Sequence, residues 1–211
     1  MIKQTQKLPL VENGIVVGTG SNKYQMRNPI GQLLIKQFDH TLAALVKEIN
    51  PKTILEVGCG EGHVTQILLD QTEATLQCTD ISDAILKEAK EAVPSSRVSF
   101  ANKSIYELKS EVDQAELVVC CEVLEHLENP LLGLEKLSTV AAPYCLLSVP
   151  REPIFRTLNF IRGAHFTQFG NSPGHVQHWS RRGFIKLVQT KFKLIKVVTP
   201  LPWTVILARI Q

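Results

Sequence analysis

The sequence predicts an α/β domain built on a doubly wound, mostly parallel sheet and closed by an antiparallel hairpin towards the C-terminus. Three observations lead there. Short apolar runs alternate with helix-patterned segments from residue 53 to residue 149. A glycine-rich loop, Gly58-Cys59-Gly60-Glu61-Gly62, directly follows the first of those runs. Two further apolar runs, 193–198 and 203–210, come last and lie too close in sequence for a parallel crossover.

The elements follow in order. Residues 1–22 are polar and dotted with glycine, and read as an arm with an edge hairpin. Residues 29–49 set Leu33, Leu34, Phe38, Leu42, Leu45, Val46 and Ile49 at helical spacing. Pro29 suits a first turn, and Pro51 stops the helix. Residues 53–57 then read as a strand, 62–70 as a helix, 75–79 as a strand and 83–92 as a helix. A weak strand follows at 97–101, a buried one at 116–121, a helix near 130–140 and a strand at 143–149. Strands alternating with helices imply right-handed crossovers and a sheet covered on both faces.

The alternation breaks after Pro150. Residues 151–178 mix aromatics, glycines, prolines and three histidines without a period, as a lid or binding segment does. Its stretch 155–166 has the makings of an amphipathic helix. Residues 180–190 read as a helix capped by Ser180.

Composition bounds the function. The 211 residues suit one domain, 1–211, with an arm over 1–28 and a lid over 151–178. Hydrophobic residues at 44% and charged residues at 20% exclude general disorder. A net charge of +3, with no block of Lys or Arg, neither demands nor excludes a nucleic-acid partner and weighs only lightly against one; a small-molecule substrate is the expectation. Five cysteines without a C-x-x-C pair point to a reducing, cytoplasmic setting. Cys120 and Cys121 are adjacent in a strand and so face opposite ways. No window has the roughly 18 apolar residues of a membrane span. Nothing in the sequence fixes an oligomeric state.

The glycine loop lies where a doubly wound sheet binds ligands, at the carboxyl end of a strand. It is not a dinucleotide fingerprint, because His63 stands where that motif needs glycine or alanine. It is not a P-loop, because no G-K-[ST] follows. Glu56, two residues before the first glycine, suits a ligand carrying an ammonium or hydroxyls better than a pyrophosphate. Asp80 ends the next strand, 20 residues beyond Gly60, about where a carboxylate meets ribose hydroxyls. It can equally begin a turn, with Ser82 capping the helix that follows.

ILEVGCGEGHVTQILL, CTDIS and ELVVCCEVLEHLENP, in this order and spacing, resemble the class I S-adenosylmethionine (SAM) methyltransferases over roughly residues 30 to 150. The resemblance implies a Rossmann-like sheet of seven strands with an antiparallel C-terminal hairpin. It implies that Gly58, Cys59 and Gly60 line the amino-acid moiety of SAM, with Glu56 reaching its ammonium. Asp80 would hold the ribose and Ile81 would pack on adenine. Ser104 stands where the family usually has an acid towards the adenine amino group, with Ile105 beside it. Cys121 ends the fourth strand of the cofactor module. Tyr24 stands where many members close an aromatic over the cofactor.

Glu122, Glu125 and His126, if helical, share one face at i, i+3 and i+4, and can hold a divalent cation or act as a general base. Acids in a first helical turn also simply complement its dipole. Gly174-His175-Val176-Gln177-His178-Trp179 is similar to the lids of ubiquinone-pathway O-methyltransferases and of enzymes that methylate the terminal 2′-hydroxyl of small RNAs. By the second likeness Glu122, Glu125, His126 and His175 would bind Mg or Mn, with His126, Glu122 and His175 catalytic. The expected function is SAM-dependent methylation of a small organic acceptor, most readily at oxygen. The alternatives are a metal-assisted 2′-O-methyltransferase of RNA ends and a SAM-binding partner subunit without catalysis.

Overall fold

The computed structural model describes residues 10–12, 15–17, 29–161 and 174–211. Along them run β1 (Leu10–Glu12), β2 (Ile15–Val17), α1 (Pro29–Ile49), β3 (Thr53–Val57), α2 (His63–Gln71), β4 (Thr75–Asp80), α3 (Asp83–Ala92), β5 (Val98–Asn102), α4 (Ser110–Asp113), β6 (Ala115–Cys121), α5 (Pro130–Val140), β7 (Ala141–Pro150), α6 (Ile154–Ile161), α7 (Arg181–Val188), β8 (Phe192–Val198) and β9 (Trp203–Ile210). Single 3-10 turns stand at Ile105–Glu107 and Leu124–His126.

Strands β3 to β9 form one sheet in the order β5-β4-β3-β6-β7-β9-β8. The pairs from β5 to β7 are parallel, and β9 is antiparallel to both of its neighbours. This is the doubly wound, Rossmann-like sheet with a reversed C-terminal hairpin that the sequence predicts. The arm holds the expected hairpin, β1 antiparallel to β2, but among the described residues it is a separate two-stranded sheet and not an edge of the main one.

The two faces can be read residue by residue. Ile54, Leu117 and Val119 point into a core under α1, α2 and α3, while Leu55, Val118 and Cys120 point into a second core under α5 and α7. Successive side chains of a strand alternate faces, so a strand covered on both sides must be apolar throughout, as LVVC is in β6. Cys120 and Cys121 divide between the cores as expected. All five cysteines are free thiols.

Helix starts follow their caps. Ser82 accepts from the Ile85 amide, Asn129 from the Leu132 amide ahead of Pro130, and Ser180 from the Gly183 amide. The lid segment is not wholly irregular, for α6 occupies its start. Asn159 of α6 is buried, whereas Phe160 is exposed. Among the described residues no helix is long and apolar enough to cross a membrane.

Candidate active site

The strand order reverses between β3 and β6: the chain steps outward from β3 through β4 to β5, then returns to β3's other side. A crevice opens there beyond the carboxyl ends of the strands. The glycine loop, Asp80, the end of β5 and the turn after β6 all meet it.

The loop is shaped by backbone geometry. Gly58 and Gly60 have φ of +74° and +53°, the left-handed region that favours glycine. The Gly58 and Cys59 amides both donate to the Thr79 carbonyl, at 2.7 and 3.0 Å, which lashes the loop to β4. A Cβ on Gly58 would fall 2.3 Å from Val123 Cγ2, so the loop packs tightly on the turn after β6. A Cβ on Gly60 would meet nothing within 4 Å. Gly60 therefore faces open space, and its amide donates to Asp80 Oδ2 at 3.1 Å. Asp80 Oδ1 accepts from the Ser82 amide at 3.1 Å, so Asp80 starts the turn into α3, as one of its two readings expects. Burial pushes its carboxyl up, and the amides it accepts from oppose that.

Glu56 is buried at 2% exposure. Its Oε2 accepts from Thr65 Oγ1 at 2.6 Å and from Cys78 Sγ at 3.4 Å. Burial pushes it up to about 7; the two donors pull it down and Asp80 adds to the rise. Cys59 and Cys121 are also displaced, chiefly by burial, which pushes both thiols up and makes them poor nucleophiles. Ile81 is exposed, a bare apolar side chain suited to a flat ring. The Ser104 hydroxyl accepts from the Tyr106 amide, capping the turn at 105–107. Ile105 is buried in the core under α5, so its side chain serves packing. Tyr24 lies outside the described residues.

The expected helical face of Glu122, Glu125 and His126 does not form. Glu122 has φ of +60° and directly follows the last residue of β6, and only a 3-10 turn comes after it. Its carboxylate takes Ser148 Oγ at 3.3 Å and Trp203 Nε1 at 2.7 Å. The donors that do converge are Glu125, His126 and His175, whose ligand atoms all lie within 4.8 Å of one another. An oxygen and two imidazole nitrogens suit a divalent cation.

The lid is stitched onto this turn. The Val176 and Gln177 amides donate to the Glu125 carbonyl, and Gln177 Nε2 donates to the Leu127 carbonyl. His126 Nδ1 lies 3.0 Å from the Gly174 carbonyl oxygen. A carbonyl only accepts, so Nδ1 carries the proton and Nε2 offers its lone pair. The His126 and His175 rings meet edge to face at 4.9 Å, and Phe155 stacks on His175 at 5.6 Å.

Sequence reasoning missed Thr65, Trp203, the stacking of Phe155 on His175 and the Asp39–His63 pair, which joins α1 to α2 at 2.9 Å. The position of His63 just after the loop was the one local signal. Thr65 lies nine residues from Glu56, in the next helix, whereas Trp203 reaches Glu122 across 81 residues.

Residues 54–143 match a family of methyltransferase domains. The chain is 30% identical to the malonyl-(acyl-carrier protein) O-methyltransferase of Anoxybacillus flavithermus over 98 residues, 45% of this chain and 38% of that protein. It is 23% identical to the ubiquinone biosynthesis O-methyltransferase of Coxiella burnetii over 155 residues, 65% of this chain and 64% of the other. The magnesium protoporphyrin IX methyltransferase of Synechocystis PCC 6803, solved with bound SAH, superposes with a TM-score of 0.67. The match is 16% identical and covers 88% of this chain and 89% of that one, a likeness of fold. The chain spans between 24% and 64% of the length of the curated relatives it matches.

Proposed function

We propose, from the premise that this chain carries a class I SAM-dependent methyltransferase domain, that it moves a methyl group from SAM to an oxygen of a small organic acceptor. One observation carries the reading. At the switch point of the sheet, the Gly60 amide donates to the Asp80 carboxylate beside open space, and Gly58 of the same loop packs on Val123, at the start of the turn that carries His126. The O-methyltransferase names of the relatives support oxygen as the methylated atom.

The open face of Gly60 and the acids Glu56 and Asp80 fit a cofactor that is cationic at one end and carries a diol at its middle. Bound there, SAM supplies a methyl on a sulfonium whose sulfur leaves as a neutral thioether. Asp80 holds the ribose hydroxyls, and Glu56 sets a negative potential under the amino-acid end. Ile81 offers the adenine ring an apolar contact. His126 Nε2 takes the acceptor's hydroxyl proton as the O–C bond forms and the C–S bond breaks. The Gly174 carbonyl, holding Nδ1–H, keeps that lone pair available. The rest of the acceleration is alignment of the acceptor oxygen with the methyl group.

A divalent cation, Mg or Mn, is a second reading, favoured by the convergence of Glu125, His126 and His175. Those three residues would hold it, and it would lower the pKa of a coordinated hydroxyl. His126 Nε2 has one lone pair, so it either ligates or accepts the proton. The two readings therefore divide on one residue. The five free thiols support a reducing, cytoplasmic setting.

Calorimetry with SAM and S-adenosylhomocysteine tests the cofactor: no heat from either at millimolar concentration overturns the reading. Incubation with SAM and a metabolite extract, with mass detection of added CH₂, tests turnover and names the acceptor. Cofactor binding with no methylated product would point instead to a non-catalytic partner subunit. Activity that survives exhaustive chelation removes the metal.

A further inference from the structure

The small net charge hides an asymmetry. Residues 153–211 contain nine Lys and Arg and no Asp or Glu, so all 20 acids lie in the first 152 residues. Glu56 and Asp80, assigned above to SAM, belong to the acidic part. The lid and α7 belong to the basic part, and two arginines stand where the parts join. Along β7, Cys145, Leu147 and Val149 point into the core under α5 and α7. Arg151 comes two residues after Val149 and continues that face. Leu124, in the turn that carries His126, and Trp179, at the end of the lid, pack in the same core. Arg151 therefore stands at the carboxyl end of β7, on the side of the sheet that carries the His126 turn. Its amide donates to the Pro202 carbonyl at 2.8 Å, and the Glu152 amide donates to the Trp179 carbonyl at 2.9 Å, which fixes the backbone under the lid. Arg156 follows in the first turn of α6, next to Phe155, whose ring stacks on His175.

Both arginines are half-buried. Among the described residues neither guanidinium forms an ion pair or a hydrogen bond. Arg151 Nε is buried with no acceptor. An arginine kept for solubility carries its donors into water, whereas a buried donor left unmade is costly and calls for a partner. Glu152 is the acid between the two in sequence. Burial pushes its carboxyl up, and the Arg156 amide, His178 and the Arg156 charge pull it down. Its Oε2 accepts from the Arg156 amide, and its Oε1 is buried with no partner, so Glu152 pairs with neither guanidinium.

We propose that the methyl acceptor is a small anion, a molecule whose carboxylate or phosphate is received by Arg151 and Arg156 at the base of the lid. The proposal rests on the methyl-transfer reading above and names its substrate class. A guanidinium presents paired donors that match an oxyanion and stays charged at any working pH. Such a pairing satisfies Arg151 Nε and holds the acceptor's reacting oxygen in one place relative to His126. Opposite signs then sort the two substrates: cationic SAM goes to the acids, and the anionic acceptor goes to the arginines. A buried Nε addresses a group inside the site and not a backbone lying across a surface, which favours a small anion over an RNA end.

The test is calorimetry with three probes, benzoate, phenyl phosphate and neutral benzamide, each with and without saturating S-adenosylhomocysteine. The wild-type protein should bind at least one of the two anions about tenfold more tightly than benzamide, and the tighter anion names the oxyanion. Arg151→Gln and Arg156→Gln should each weaken anion binding about three- to tenfold and leave the affinities for benzamide and S-adenosylhomocysteine the same. The two arginines lie on different elements, so Arg156→Gln still decides if Arg151→Gln misfolds. In the metabolite extract, the molecule that gains CH₂ should be retained by an anion-exchange resin at neutral pH. Four outcomes overturn the proposal: benzamide binding as tightly as both anions; unchanged anion affinity in the folded variants; an acceptor that passes through the resin; or a short RNA binding more tightly than either anion. A protein that binds the anions but not S-adenosylhomocysteine would lose the methyl-transfer reading and keep the anion site, so the two failures are distinct.

Discussion

Trp203 Nε1 donates to Glu122 Oε2 at 2.7 Å, tying the first residue of β9 to the residue that directly follows β6. The same indole lies against Phe38 of α1, with ring centroids 4.8 Å apart. One side chain thus joins α1, β9 and the turn bearing the candidate catalytic groups. Trp203→Phe keeps an aromatic against Phe38 and removes the donor from a part-buried carboxylate. The expected cost is about 1–3 kcal/mol, read by urea denaturation. SAM turnover should fall further than that stability loss explains, because Glu122 anchors the turn ahead of His126.

Glu56 predicts a pH dependence with a definite sign. Burial raises its carboxyl from 4.5 to about 7, so the folded protein binds this proton more tightly than the unfolded chain does. Its contribution to stability is fully present below the unfolded value and is lost as pH rises through about 7. Between pH 5 and 8 the empty wild-type protein should therefore lose more melting temperature than Glu56→Gln does. SAM is cationic at its amino and sulfonium groups, so its affinity should rise over the same interval in the wild type and stay flatter in the variant. Equal pH slopes for the two proteins would remove Glu56 from cofactor binding.

Gly58 and Gly60 should separate folding from binding. Gly58→Ala adds a Cβ 2.3 Å from Val123 Cγ2 at a positive φ, and should lower stability by about 1–3 kcal/mol. Gly60→Ala meets no protein atom, so it costs only the backbone strain, about 1–2 kcal/mol. Its methyl points into the space assigned to SAM. Thermal melts should rank Gly58→Ala as the less stable, while calorimetry should show SAM binding weakened in both.

His126→Ala should lower turnover by about 10²–10⁴, the range for loss of a general base. SAM affinity should be unchanged, since His126 is placed on the acceptor side. Glu125→Gln with His175→Ala divides the two catalytic readings. A metal-free enzyme should retain a pH profile governed by His126, and a metal-dependent one should lose activity in proportion to lost Mn affinity, measured by equilibrium dialysis.

The glycine loop and Asp80 were legible in the sequence because each is a local signal. Glycines are needed where φ is positive, and an acid that closes a strand two residues before a capping serine starts a turn by bonding that serine's amide. Glu122 was legible as a residue but not as a conformation. Helical spacing at 122, 125 and 126 presumes a helix, and the positive φ at Glu122 instead sends its carboxylate to Trp203, 81 residues away. Partners at that separation leave no trace in a sequence window.

The sequence by itself determined the alternation of strands and helices and the place of the glycine loop after the first strand of the sheet, because periodicity, caps and glycine turns act over a few residues. Tertiary structure alone decided which side chains meet. It brought His175 of the lid to Glu125 and His126, while Trp203 secured Glu122 apart from them. Those choices depend on how distant strands pair and pack, where burial and charge are settled by neighbours that the chain order does not reveal.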